Sequence, residues 1–275
     1  MSAYSIIKYP RTPHLQGSRL QPGDEDLRQI PFSEIAGKNL VVEEKCDGAN
    51  SAVSFDTDGT LMLQSRGHYL TGGYREKHYD MLKQWANVHR DALYELLGSR
   101  YIMYGEWMYA KHTVFYNALP HYFLEFDILD RQTQCFLDTP LRRRMLADFP
   151  VVSTPVLYQG TLSSLDKLIA LLGRSNYSNG ENMDMLRAQC ETLALNANEI
   201  CGETDCTGIM EGLYVKVETN GKVMDRVKYV RASFLQNVRA SQAHWLERPI
   251  VPNLLRYPLE SLFTSSLPEV DRHVR

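Results

Sequence analysis

Read for period, the chain switches repeatedly between strand-like and helical runs. "NLVVEEK" (39–45) is an apolar run closed by charge. "SAVSF" (51–55) and "TLMLQSR" (60–66) flank the turn tetrapeptide "DTDG", so three strands are expected here. From Glu76 to Leu97, apolar residues recur at helical spacing and predict one long amphipathic helix, with Met81, Trp85 and Val88 in the core and Gly98 as its stop. Strands return in "YIMYGEWMYA" (101–110) and "YFLEFDILD" (122–130). "DTPLRRRMLADF" (138–149) predicts a helix capped by Thr139 with Pro140 in its first turn. "SSLDKLIALLG" (163–173) predicts a second, with a capping box from Ser163 to Asp166, and a third is expected over roughly 182–198. "GLYVKVE" and "KVMDRVKYVR" around Asn220-Gly221 predict a hairpin, and "ASFLQNVRASQAHW" (232–245) a final helix. The class is α+β, antiparallel sheets flanked by helices.

Composition narrows this. At 275 residues, 44% hydrophobic and 23% charged, the chain has ample core for one large domain or one with a small appendage. No apolar run approaches the roughly 18–20 residues a membrane span needs, so no membrane partner is expected. The start, "MSAYSIIKYPRTPH", has no secretory pattern, and five cysteines at irregular spacing read as reduced thiols, so a cytoplasmic location is expected. Cys201 and Cys206 leave a metal pair open, without a second pair at ligand spacing. The net charge of −3 gives no global footprint for nucleic acid, so a polynucleotide would need a local basic surface.

Candidate chemistry starts at Lys45-Cys46-Asp47-Gly48, a K-x-D-G that ends an apolar strand one residue before a turn. A lysine with pKa about 10.4 is neutral in only about one molecule in 2,500 at pH 7. Burial near other cations favours the neutral amine, and lowering the pKa by about three units corresponds to roughly 4 kcal/mol. A cationic surround for Lys45 is therefore the expectation. Downstream, in order, follow "LQSRG" (63–67), "YGEWMY" (104–109), "LEFDI" (124–128), "MEGLYVKV" (210–217) and "DRVKYV" (225–230). On a strand, Arg226 and Lys228 point to one face.

This ordered set, over about residues 40 to 231, resembles the covalent nucleotidyltransferase superfamily of polynucleotide ligases and mRNA capping enzymes, and most of all the RNA ligase 2 family. The resemblance implies a nucleotidyltransferase (adenylation) domain in which Lys45 attacks the α-phosphate of ATP and forms a lysine–AMP phosphoramide. Asp47 and Gly48 would make the turn that aims it, and Asn50 would point its amide at the nucleotide. Arg66 would hold the nucleotide phosphate or an RNA 5′-phosphate, and Glu106 the ribose. Phe126 would stack on adenine or serve as plain core, with Asp127 beside it a polar cap or a nucleotide contact. Glu211 would place Mg²⁺ (or Mn²⁺), and Arg226 and Lys228 would meet the α-phosphate. Arg226 departs from the family's K-x-K pattern. Lys216 would extend from the metal-binding strand, and Glu44 would touch the adenine amino group or sit as a strand-edge acid.

Capping enzymes and DNA ligases close with an OB-fold domain, and the 44 residues after Arg231 are too few for one. The expectation is therefore an ATP-dependent RNA ligase, with a nucleotidyltransferase domain over 1–231 and a short helical and irregular tail over 232–275. Its partners would be RNA with 5′-phosphate and 3′-hydroxyl ends and an end-processing kinase or phosphatase. A capping-type or DNA-joining enzyme with its OB-fold on another chain, and a non-catalytic RNA-end-binding module, stay open. Outside the motifs, His14 with Arg11 and Arg19 in "RTPHLQGSR" is a candidate phosphate contact. Arg142, Arg143 and Arg144 read as a solvated face or an RNA grip. Arg239, Arg248 and Arg256 in the tail could grip RNA, while Trp245 and Leu246 point to packing on the core.

Overall fold

A computed structural model describes residues 5–20, 23–234 and 249–264. In chain order its strands are β1 (His14–Leu15), β2 (Gln29–Ile30), β3 (Leu40–Lys45), β4 (Ala49–Phe55), β5 (Leu61–Ser65) and β6 (Tyr101–Trp107). After these come β7 (Phe123–Asp130), β8 (Cys135–Phe136), β9 (Val152–Ser153), β10 (Val156–Gly160), β11 (Gly212–Thr219) and β12 (Lys222–Val230). The α-helices are α1 (Asp80–Val88), α2 (Arg90–Leu97), α3 (Thr139–Leu146), α4 (Leu165–Ile169), α5 (Asn182–Thr192) and α6 (Ala197–Gly202). One sheet has the order β10-β3-β11-β12-β1-β2, the other β5-β4-β6-β7-β8 with β9 beside β7. The long strands pair antiparallel, and the short β1–β12, β1–β2 and β7–β9 pairs are parallel. The fold is α+β, as the periodicity predicts.

Two apolar layers hold the sheets. Leu40 and Val42 of β3 pack with Leu213, Val215 and Val227 on one face of the first sheet. Val53, Met103 and Phe123 of the second sheet pack with Leu82, Trp85, Leu93 and Leu97, the Trp85 ring lying stacked on Phe123 at 5.3 Å. The single helix expected over Glu76 to Leu97 is broken. A 3-10 turn over Tyr74–Tyr79 leads into α1, and His89 separates α1 from α2. At the break His89 has φ −96° and ψ 14°, its ring bonds to the Leu262 carbonyl at 2.8 Å, and Val88 is 59% exposed rather than core. The helix expected over 182–198 likewise divides, because Asn196 accepts from the amides of Asn198 and Glu199 and caps a new helix, α6. Two caps move by one residue: Asp138, not Thr139, caps α3, and Ser164, not Ser163, caps α4. Both β11 and β12 and their Asn220-Gly221 turn, with φ of 49° and 80°, match expectation. The helix expected over 232–245, with Arg239 and Trp245, lies outside the described residues apart from 232–234 at its start, as do Leu246 and Arg248 after it.

Between the sheets lies a layer of buried charge. Arg142 of α3, 2% exposed, donates to Glu43 of β3 and Glu125 of β7, each at 2.7 Å. Lys216 of β11 reaches Glu43 at 2.8 Å and Asp127 at 3.3 Å, and donates to the Phe126 carbonyl. Arg226 of β12 donates to Asp127 (3.2 Å) and to the Tyr9 hydroxyl (2.9 Å), with its guanidinium 4.0 Å from the Phe136 ring centre. Three cations thus face three carboxylates, the one pairing that makes burial of such groups tolerable. The solvated face expected of Arg142 is corrected: its guanidinium joins the two sheets.

Candidate active site

β3 ends in the first sheet at Lys45, and β4 begins in the second at Ala49, so Cys46-Asp47-Gly48 carries the chain from one sheet to the other. Beside this crossing opens a cavity of about 1360 Å³, walled by both sheets. Gly48 must be glycine here. A β-carbon would sit 2.8 Å from the Trp107 carbonyl oxygen and 2.7 Å from the Met108 sulfur. Asp47 pins the crossing: its carboxylate accepts from the amides of Thr113 (2.7 Å) and Val114 (2.9 Å), and its own amide donates to the Tyr116 hydroxyl at 2.9 Å.

Antiparallel pairing sets Gly212 of β11 opposite Lys45, which brings Glu211 beside the amine. Lys45 Nζ donates to Glu211 Oε1 at 2.7 Å; the lysine side chain is 19% exposed and the carboxylate fully buried. Here one expectation is corrected. Burial pulls the Lys45 amine down, but the charge and hydrogen bond of Glu211, with Glu106 and Asp47 behind them, outweigh it and hold its pKa up. The surround of Lys45 is anionic, not cationic.

Glu106 of β6 faces the same space, its Oε1 accepting from the Gly48 amide at 3.2 Å. Burial, reinforced by the charges of Glu211 and Asp47 against the pull of Lys45, pushes its pKa up to about 8. A carboxyl kept neutral near pH 7 both donates and accepts hydrogen bonds. Because the folded state then binds a proton that the unfolded chain has released, Glu106 lowers stability as pH rises from about 4.5 to about 8. Glu106→Gln is accordingly expected to raise the melting temperature of the nucleotide-free chain by about 2 °C or more at pH 8.5 and by little at pH 4.5. Equal shifts at both values, in a thermal melt, would show that the carboxyl does not titrate in this way.

Asn50 lies opposite Glu106 on β4, and it, Arg66, Phe126 and Lys228 also line the cavity. Arg66 is exposed. Phe126 is half-buried, edge-on to Tyr9 at 5.0 Å. Lys228 shares its strand face with Arg226, yet the two part company. Lys228 bonds Asp24 at the cavity wall, whereas Arg226 and Lys216 are not among the lining residues and are engaged in the charge layer between the sheets. The approach of Arg226 and Lys216 to a nucleotide, expected from the sequence, is therefore not what this geometry offers. Asp127, open to two readings from sequence, is part of the same layer. Glu44 is not a strand-edge acid, since β3 is an inner strand; it lines the cavity, and its buried carboxylate accepts from Ser175 Oγ (2.6 Å) and from the Asn176 amide and side chain (3.0 and 2.7 Å). Burial, against those bonds, holds its pKa up.

The N-terminal segment supplies cavity residues that no motif marks. β1 pairs in parallel with β12, His14 opposite Lys228. This lays Tyr9, Arg11, Thr12 and Asp24 along the cavity, with Tyr214. Arg11 pairs with Asp26 and Asp24, and Arg19 donates to the carbonyls of Ala232 and Phe234, so both are taken up within the chain.

Seven carboxylates line the cavity, against Arg11, Lys45, Arg66 and Lys228. Glu43 and Glu76 are neutralised from behind by Arg142, Lys216 and Lys83, and Glu106 is held neutral near pH 7, which leaves four acids for four cations. Such a wall has no surplus positive charge for a polyanion. Among the described residues no three His, Cys, Asp or Glu side chains gather as a metal cage, at Cys201 and Cys206 or elsewhere. The buried Glu211 carboxylate at the amine, with the Asp47 and Glu106 carboxyl groups on the same wall, does fit Mg²⁺ or Mn²⁺ held jointly by protein and phosphates, the usual mode for Mg²⁺. No helix among the described residues is long and apolar enough to cross a membrane.

The RNA ligase family profile matches residues 38–230, and the chain belongs to this family. The fold is similar to solved structures of the Naegleria gruberi RNA ligase. One is a mutant with ATP and Mn, at a TM-score of 0.52 and 17% identity, over 83% of this chain and 57% of that one. Another is a mutant without ligand, at a TM-score of 0.51 and 17% identity with the same coverage. The chain thus spans 57% of the length of these neighbours. Comparison with curated proteins gave no match.

Proposed function

We propose that the chain is an ATP-dependent RNA ligase that joins 5′-phosphate and 3′-hydroxyl RNA ends through an adenylyl group carried on Lys45. The observation that carries this is the Lys45–Glu211 pair at the crossing between the sheets, open to a cavity large enough for a nucleotide. Family membership supports it, as does the likeness of fold to a ligase solved with ATP and Mn. In this reading Lys45 attacks the α-phosphate and pyrophosphate leaves. The adenylyl group passes to an RNA 5′-phosphate, and a 3′-hydroxyl then displaces AMP. Each is an in-line displacement at phosphorus, so one set of residues serves all three.

The residues divide the work. Glu211 holds the lysine as an ammonium, so the amine must lose its proton before attack and adenylylation rises with pH. Lys228 meets the α-phosphate, Glu106 the ribose hydroxyls, Phe126 the base and Asn50 a further nucleotide edge, while Arg66 at the mouth receives a phosphate of nucleotide or RNA. Asp47 and Gly48 fix the turn from which Lys45 projects. Mg²⁺ or Mn²⁺, held with Glu211, would relieve negative charge on the phosphates. The nucleotidyltransferase unit is proposed to span 1–231, with 232–275 as a C-terminal segment whose described part, including buried Val251, Asn253 and Leu262, packs on the core. Substrate ends would be supplied by a kinase or phosphatase. The test is joining of end-labelled RNA with 5′-phosphate and 3′-hydroxyl termini, with ATP and Mg²⁺ or Mn²⁺. Ligated product is expected with ATP; none from folded protein, over nicked, single-stranded and hairpin substrates, would reject the reading.

A further inference from the structure

The N-terminal segment sets a carboxylate where a cationic wall is expected to receive phosphate. Asp24 lines the cavity and bonds Lys228 Nζ through Oδ2. The same oxygen lies 3.2 Å from His14 Nε2, and the other, Oδ1, lies 3.3 Å from Arg11. Three basic side chains from two strands and a loop therefore converge on one acid. His14 is fully buried, and its second nitrogen, Nδ1, is fixed by Ser18 Oγ at 2.7 Å, so the ring's aim at Asp24 is built in. Asp24, Arg11 and Lys228 line the cavity with Lys45, and His14 stands behind them; burial first, and the charge of Lys45 among other causes, depress both His14 and Lys228. Asp24, held by these donors, with Arg11 shared by the exposed Asp26, occupies the place of an anion that they could bind in its stead.

We propose that Lys228 and Arg11, with His14 behind them, form a subsite for the phosphates of the nucleotide, Lys228 at the α-phosphate and Arg11 toward the terminal phosphates and the pyrophosphate released, and that the Asp24 carboxylate fills it when no phosphate is bound. This rests on the reading of the cavity as a nucleotide site and deepens it. Asp24 competes with phosphate for the same donors: it lowers affinity for polyphosphate and, by returning to Lys228, favours departure of pyrophosphate after the adenylyl group has been captured. The alternative role for such an acid, holding Lys228 in position for phosphate, requires the opposite sign.

Calorimetric titration of the full chain with inorganic pyrophosphate, and separately with ATP and Mg²⁺, decides between them. Asp24→Asn, and Asp24→Ser as a second variant, are expected to bind pyrophosphate about tenfold more tightly than wild type. Glu25→Gln removes the same formal charge from an exposed neighbour that does not line the cavity, and is expected to change affinity by less than about twofold. Equal or weaker binding by folded Asp24 variants would overturn the proposal, as would a gain matched by Glu25→Gln. Should ATP bind and pyrophosphate bind to neither wild type nor variant, the subsite fails and the nucleotide reading stands. If neither ligand binds, both fail.

Discussion

Lys45→Arg is expected to lose ATP-dependent adenylylation by at least about 10⁴-fold while the protein stays folded. Arginine keeps a cation beside the buried Glu211 carboxylate, so the local charge balance survives, but a guanidinium does not give up its proton near neutral pH and cannot act as the nucleophile. Lys45→Ala should be equally inactive and less stable, because it removes the cation that pairs with the buried Glu211 carboxylate. Both variants are expected to seal RNA that already carries a 5′-adenylyl group, since the last displacement does not use the lysine amine. Label transfer from α-labelled ATP checks the first step and sealing of pre-adenylylated RNA the last. A Lys45→Arg chain that labels at the wild-type rate would remove Lys45 from the chemistry. In wild type the labelling rate should climb as pH rises from 6 to 9, because Glu211 holds the amine protonated and only the neutral form attacks.

Arg142→Ala should cost about 3–5 kcal/mol of stability at pH 7, enough to unfold a marginal domain. Its guanidinium is the link between Glu43 of one sheet and Glu125 of the other, and both carboxylates are at most 1% exposed. Without it their charge has no water to screen it, and Lys216 is already shared between Glu43 and Asp127. The loss should shrink as pH falls toward 5. Burial already holds the Glu125 pKa up against the pull of Arg142, and removing that cation lets the carboxyl take a proton more readily. Urea unfolding at two pH values measures both effects, and a loss below about 1 kcal/mol at pH 7 would mean that the layer is not held by ionic pairing.

Much of this molecule could be read from local pattern. Strands β3, β4, β5, β6, β7, β11 and β12 follow from apolar runs and turn residues, and the Asn220-Gly221 hairpin from its turn chemistry. The set around the crossing, Lys45, Asp47, Glu106, Glu211 and Lys228, is legible only through the resemblance to the ligase superfamily, whose ordered motifs fall at the ends of those strands or along them. What local pattern cannot carry is partnership over distance. Strand alternation correctly put Arg226 and Lys228 on one face, but not that Asp127 of the other sheet takes up Arg226 while Asp24 takes up Lys228. Asp24 sits in "GDED", which reads as solvated loop, and is brought to the wall by β1, two residues long and parallel. Arg142 reads as one of three exposed arginines until the helix is docked across Glu43 and Glu125. The anionic surround of Lys45 was missed for a related reason. Cations near the amine are visible in the motifs, but the hydrogen bond from Lys45 to Glu211 depends on how β3 and β11 pair.

The most direct test of the account is to incubate the wild-type chain with ATP and Mg²⁺ or Mn²⁺, without RNA, and to map any adduct by peptide mass analysis under conditions that preserve a phosphoramide. One adenylyl group on the peptide bearing Lys45, released on adding excess pyrophosphate, is the predicted result. An adduct on another residue, or RNA joining by a chain that never carries one, would contradict it.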